Sequence, residues 1–431
     1  MIKFEDKNQR LKSTTKYLIS IFSLALLIGL LMAIFFPCPE SEFEDQAEYN
    51  NIAWNILQGH GYSINKVEPY DPTARRGPTY PFFLAAIYLF FGQNYTAVYI
   101  IQAILYAFTC LIIYLLGREA FDNKRIGLIA ALGAALYPAF WVFIRQLMTE
   151  PLFAFLLAMI LLLWIRAIKE KSARWYPLLG VLIAIGALCR TTLAAFPLFI
   201  LLGLLLLYQD KKRAIIDGGV VLLITFLVIA PWTARNYFVL HRFIPITSDM
   251  GRALVAAIIP YENRKQQEAV RKEIMPKLEK MMSEEKKSFD EAAQALARSE
   301  FKKDPWKYFK FLPQKLFLFW RPYSYSEMFG VKAPSWEYME NKSYGPLFLK
   351  FALLTLNTLP LLLGMVGLFF IRDKWRTALP LLLIIVYFTL VHTMVHAGTG
   401  TRYHVPIMSA VFVLASLGIV KVIGLVKPGD R

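Results

Sequence analysis

The residues able to do chemistry in this chain gather at the edges of long apolar runs. Asp45 follows the first run, in Glu44-Asp45-Gln46-Ala47-Glu48-Tyr49, and the same segment goes on to Pro72-Thr73-Ala74-Arg75-Arg76-Gly77-Pro78. A carboxylate beside fixed cations stays ionised and can take a proton from an attacking hydroxyl. Two arginines offer planar forks of donors that suit a phosphate and never deprotonate. Glu150 opens another apolar run, Arg190 closes one, Arg235 follows one after Pro231-Trp232, and Arg402-Tyr403 precede the last. Each has a plainer reading. Asp45 suits a solvated loop, Glu150 ahead of Pro151 suits a first helical turn, and Arg190 and Arg402 suit snorkelling toward headgroups. His392 and His396, four apart, share a helix face that could hold a metal, but no nearby pattern completes such a site.

The elements that position these residues are membrane spans. The chain has 431 residues, of which 57% are hydrophobic and 18% charged. Repeated apolar runs of spanning length exclude an ordinary soluble domain. The net charge of +17 does not point to nucleic acid, because the basic residues flank spans or sit on one polar segment. Cys38, Cys110 and Cys189 have no metal-type spacing, and Cys110 and Cys189 read as packing residues. The first run, Tyr17 to Phe36, is longer than a signal-peptide core and reads as a retained anchor.

Spans are expected at 17–36, 95–116, 126–144, 150–166, 176–189, 192–208, 214–231, 346–371, 377–395 and 404–425. The run Tyr80–Phe91 falls short of the roughly 20 residues a crossing needs and is expected to lie at the interface. Orientation supports this. Lys3, Lys7, Arg10, Lys12 and Lys16 place the N-terminal tail inside. With Tyr80–Phe91 not crossing, the short basic loops at 118–125, 166–174, 211–213 and 372–376 and the C-terminal tail also fall inside. The expected architecture is an all-α polytopic membrane protein of about ten transmembrane helices with both termini cytoplasmic. It divides into an N-terminal core at 1–231 with an outer loop at 37–94, an outer helical segment at 232–345, and C-terminal spans at 346–431. Pro276 and Pro305 are expected to interrupt the helices of the outer segment. The aromatic and lysine-rich run 308–320 is expected along the membrane surface.

On this topology Asp45, Arg75, Arg76, Glu150, Arg190, Arg235, Arg402 and Tyr403 all come near one membrane face, while the middles of the spans hold almost no ionisable group. A transporter or proton relay places such groups near the midplane. An interfacial enzyme with a lipid-borne substrate places them as they are found here.

Four stretches resemble the GT-C superfamily of integral-membrane glycosyltransferases, within it the branch of lipid A aminoarabinose transferases and protein O-mannosyltransferases. They are Asp45-x-x-x-Tyr49 with Gly59-His60-Gly61-Tyr62; Pro72 to Ala85; Ala135-Leu136-Tyr137-Pro138 leading to Thr149-Glu150; and Pro231-Trp232-Thr233-Ala234-Arg235-Asn236-Tyr237 with Arg402-Tyr403-His404-Val405-Pro406. In this order they cover residues 15 to 425. Many relatives carry Asp-Glu in the first loop; here Gln46 follows Asp45 and Glu44 precedes it, so either acid can be the base, and the spacing to Tyr49 favours Asp45. The resemblance implies transfer of a sugar from a polyprenyl-phosphate carrier to an acceptor hydroxyl on the outer side of a plasma (inner) membrane, with inversion. The acceptor would be a lipid, a glycan or a protein. Asp45 would act as base and Glu150 would orient the acceptor. Arg75, Arg76, Arg190, Arg235 and Arg402, with Tyr49, Tyr62 and Tyr403, would bind lipid phosphate and sugar. A divalent ion stays open, with Asp45, Glu150 and His396 as its ligands if one is bound. A carrier or flippase for a lipid-linked sugar is the alternative.

Overall fold

The computed structural model of the chain describes residues 2–36, 44–249, 251, 253–255, 264–395 and 401–426. Apolar stretches of spanning length become helices because every backbone polar group is then satisfied within the segment. Seven helices among the described residues are long and apolar enough to cross a membrane. They include α1 (Ile2–Phe35), with α2 (Glu44–Leu57) and α3 (Thr79–Phe91) ahead of the next, α4 (Tyr95–Phe121).

The expected third span is broken. α5 (Lys124–Ala135) and α6 (Pro138–Ile144) meet at a 53° bend. Pro138 is the cause: it drives the residue before it out of the helical region, and Tyr137 is extended. α7 (Glu150–Glu170) follows, then α8 (Trp175–Cys189) and α9 (Phe196–Leu207), which are shorter than a usual crossing. These two form a hairpin, since the Tyr176 hydroxyl at the start of one meets the Tyr208 hydroxyl at the end of the other at 2.6 Å. Both pack on α10 (Lys211–Leu240), which runs on through Pro231 to Leu240, past the segment boundary read at 231.

The polar segment then builds a small core of its own. α11 (Arg264–Glu284) and α12 (Phe289–Lys303) bury Ile274 and Leu278 against Ala292, Ala293 and Leu296. Pro276 does not interrupt it, contrary to expectation. The buried face at Ile274 and Leu278 continues across the proline, and the break comes at Ser288, whose side chain caps the next helix with Glu291. Pro305 does begin a new helix, α13 (Pro305–Lys310), and α14 (Leu312–Trp320) follows it. Trp306 and Phe317 stay exposed, while Phe319 is buried and its carbonyl lies 2.6 Å from His404 Nδ1. α15 (Ser335–Glu340) leads to α16 (Tyr344–Leu368), α17 (Trp375–Leu390) and α18 (Met408–Val426). α16 and α18 cross closely at Gly367 and Gly418, where a Cβ on Gly367 would strike the Leu414 carbonyl.

The basic loops collect at one end of the bundle. Lys169 Nζ lies 3.1 Å from Glu119 Oε2 and 2.6 Å from Asp122 Oδ1, and Lys374 Nζ lies 2.8 Å from Asp122 Oδ2. Arg213 donates to the Lys171 carbonyl at 2.7 Å, and Lys124 reaches Thr14 at 3.4 Å. α3 stays at the opposite end. The Thr79 hydroxyl at its start donates to the Ile185 carbonyl of α8, and Gln93 just past its end donates to Asn50 of α2.

Candidate active site

The site is built on α2. Asp45 and Glu48, one turn apart, share a face of this helix. Gln46 Oε1 accepts from the Leu147 backbone at 3.0 Å and fixes the helix start against the loop before α7. Further along, Asn51 donates to the Ile64 carbonyl, and Asn55 to the carbonyls of Ser63 and Asn65. These bonds tie the returning loop to α2.

That loop presents the arginine pair. The Tyr62 hydroxyl donates to the Arg76 carbonyl at 2.9 Å. Gly77 passes so close to the end of α8 that a Cβ there would run into the Leu188 carbonyl oxygen. Arg76 therefore points at α2, giving Nη2 to Asp45 Oδ1 and Nε to Glu48 Oε2, each at 2.5 Å. Its guanidinium also lies 5.4 Å over the Tyr49 ring. Arg75 Nη1 meets Glu48 Oε1 at 2.8 Å.

The other side comes from the segment before α18. Arg402 Nη2 lies 3.1 Å from Asp45 Oδ2 and donates to the Tyr403 hydroxyl at 3.0 Å. Each Asp45 oxygen thus faces a guanidinium. Glu150 stands at the start of α7, 1% exposed, with Oε1 3.3 Å from Arg190 Nη2 and Oε2 without a hydrogen-bond partner among the described residues. A cavity of about 20 Å³ adjoins it, bordered by Tyr106, Thr109, Phe143 and Val405, with room for about one water. The Arg190 guanidinium lies 5.5 Å over the Tyr403 ring, which links this pair to the Asp45 cluster.

Electrostatics follow from these contacts. Burial raises the Asp45 pKa, but the Arg76 and Arg402 charges and their hydrogen bonds outweigh it and hold the carboxyl below its ordinary value. For Tyr49, burial dominates and keeps the phenol protonated.

Of the residues picked from the sequence, the structure brings together Asp45, Tyr49, Arg75, Arg76, Arg402 and Tyr403, with Glu150 and Arg190 alongside. Tyr62 and Arg235 stand one layer back. Arg235 donates to the Thr73 carbonyl at 2.7 Å and lies over the rings of Tyr62 and Trp232, bracing the loop. His396 and the side chain of Glu44 lie outside the described residues. Among the described residues no three His, Cys, Asp or Glu come together as a metal-binding group, and Asp45 and Glu48 face guanidiniums. Glu48 was not picked from the sequence. Its three-residue spacing from Asp45 was the available signal, lost when 44–49 was read as loop. Gln102 was missed too; it donates to the carbonyls of Ile144 and Gln146 and accepts from Tyr80.

Over residues 75–234 the sequence matches the family described as dolichyl-phosphate-mannose-protein mannosyltransferase, a stretch that holds Arg75, Arg76, Glu150, Arg190 and Trp232. No curated protein matches the chain. Among solved structures it is similar to the oligosaccharyltransferase of Archaeoglobus fulgidus tethered with an acceptor peptide, at 15% identity and a TM-score of 0.56, covering 96% of this chain and 50% of that one. The same archaeal enzyme, AglB, with an inhibitory peptide and a dolichol-phosphate gives 15% identity and a TM-score of 0.54, over 97% and 52% of the two chains. ArnT from Cupriavidus metallidurans bound to undecaprenyl phosphate gives 13% identity and a TM-score of 0.43, over 95% and 78%. The chain spans about half the length of the oligosaccharyltransferase structures it matches. Its fold is the all-α polytopic membrane fold that it shares with the archaeal oligosaccharyltransferase.

Proposed function

We propose that this protein transfers a sugar from a polyprenyl-phosphate-linked donor to an acceptor hydroxyl at the outer face of the membrane, with inversion at the anomeric carbon. The observation that carries the reading is Asp45, a carboxylate held between Arg76 and Arg402 at the end of the bundle opposite the basic loops. With the basic loops and both termini in the cytoplasm, that end lies outside. Two names support the donor class: the matching family is named for dolichyl-phosphate-mannose, and the archaeal oligosaccharyltransferase binds a dolichol-phosphate.

In this reading the acceptor oxygen attacks the anomeric carbon from the side opposite the phosphate. The bond from that carbon to the phosphate oxygen breaks, its electron pair stays on the phosphate, and the acceptor proton passes to Asp45. Arg76 and Arg402 lie where charge grows on the leaving phosphate, which is where preorganised cations lower a barrier most. Arg75 adds to that clamp. Glu150, with one oxygen on Arg190 and one unengaged, orients the acceptor.

The test is reconstitution of the full chain in liposomes with a panel of labelled polyprenyl-phosphate sugars and lipid, glycan and peptide acceptors. The expected result is acceptor-dependent release of polyprenyl phosphate, with a product whose anomeric configuration by NMR is opposite to the donor's. Retention of configuration would sink the single-displacement mechanism, and no transfer across the panel would sink the enzyme reading.

A further inference from the structure

Glu48 holds two contacts that the transfer step does not itself call for. Glu48 is 7% exposed, and its carboxylate gives one oxygen to each of two consecutive arginines, Oε1 to Arg75 and Oε2 to Arg76. Arg75 and Arg76 follow one another in a bend of the returning loop. Here one carboxylate draws both guanidiniums to a single side and screens their mutual repulsion.

The carboxylate and the backbone of the arginines are fixed independently. α2 is held through Gln46, Asn51 and Asn55, and Tyr49 packs edge-on against Tyr80 at 5.1 Å. The arginine backbone is held by the Tyr62 hydroxyl and by the approach of Gly77 to Leu188. Among the described residues Glu48 is the side chain that engages both guanidiniums, with Asp45 meeting that of Arg76 as well. Arg76 spends Nε and Nη2 on Glu48 and Asp45, and Arg75 spends Nη1 on Glu48. Among the described residues nothing takes Nη1 of Arg76 or Nη2 of Arg75, and both are left for an anion.

We infer that Glu48 is a positioning residue that sets Arg75 and Arg76 side by side as a two-guanidinium clamp for the phosphate of the lipid donor, acting on that substrate only through them. The inference rests on the polyprenyl-phosphate reading given above. Its physical basis is preorganisation: cations already aimed at an anion need no reorientation when it binds.

The experiment uses the full chain in nanodiscs with two readouts, the Kd for undecaprenyl phosphate and the KM values for donor and acceptor. Glu48→Gln keeps the side-chain shape and removes the charge. It should raise the undecaprenyl phosphate Kd and the donor KM together by about tenfold, with the acceptor KM unmoved. Glu48→Arg, which puts a third cation against the pair, should abolish phosphate binding. Wild-type Kd and donor KM in Glu48→Gln would overturn the inference. Donor and acceptor KM rising alike with a lowered melting temperature would also overturn it, in favour of a purely structural role. Should Glu48→Gln not fold, Glu48→Asp, which keeps the charge but withdraws the carboxylate from Arg75 and Arg76, should raise the same two constants with the acceptor KM unmoved. A wild type that binds undecaprenyl phosphate yet transfers nothing would remove the transfer reading and leave the clamp standing.

Discussion

A carboxylate clamped by two guanidiniums is a weaker base than a free one, and Asp45 must be understood in that light. In the proposed reaction the arginines that lower its pKa also meet the donor phosphate, and phosphate binding then relaxes their hold on it. The pH consequence has a definite sign. The folded pKa lies below the unfolded value of about 3.9, so the ion pairs of Asp45 stabilise the fold above that pH and fade as pH falls through the lower folded value. Asp45 is accordingly ionised throughout the neutral range, and a pH–rate profile of transfer should show no acid-limb inflection from it above about pH 5. An inflection near pH 6 assigned to Asp45 would contradict its double pairing. Asp45, Arg76 and Arg402 were legible because each flanks an apolar run on the same face. Glu48 was not, since its partners Arg75 and Arg76 come from a loop whose return path no local pattern specifies.

Short elements pinned at few points hold these residues in place. The turn at Gly77 is the clearest case, because the position tolerates no Cβ against the Leu188 carbonyl, a backbone atom that cannot rotate away. Gly77→Ala should destabilise the protein by about 1–3 kcal/mol, as overpacking does, and displace the Arg75-Arg76 segment, with a matching loss of transfer. Gly345→Ala, where a Cβ meets open space, is the control and should leave the melting temperature and activity unchanged. A Gly77→Ala variant as stable and active as wild type would show that the loop has slack its packing does not reveal. The length of the apolar runs located the spans, but the bend between α5 and α6 escaped a hydropathy reading, because one proline hardly changes the hydropathy of the run while Pro138 redirects the backbone at Tyr137. The continuation of α11 through Pro276 escaped for the opposite reason: burial of its apolar face outweighs the lost hydrogen bond.

At the scale of the whole molecule, charge separates the two ends. The Asp122, Lys169 and Lys374 cluster ties three basic loops together at one end, and the Asp45 site occupies the other. Cysteines introduced at Lys171 and Lys374 should therefore react with an impermeant reagent from one side of the membrane, and a cysteine at the exposed Val67 from the other. Labelling of all three from the same side would overturn the arrangement. The ion pairs of that cluster are largely exposed, so Asp122→Asn should change stability by less than about 1 kcal/mol in a thermal melt. The central claim is that the Asp45 end performs sugar transfer with Asp45 as the base. Its most direct test is Asp45→Asn in proteoliposomes supplied with radiolabelled polyprenyl-phosphate sugar, with binding of undecaprenyl phosphate measured on the same preparation. The expected result is transfer reduced by about 10²–10⁴-fold, the usual contribution of a positioned base, with lipid phosphate still bound. Transfer within about threefold of wild type, far less than that contribution, would contradict it.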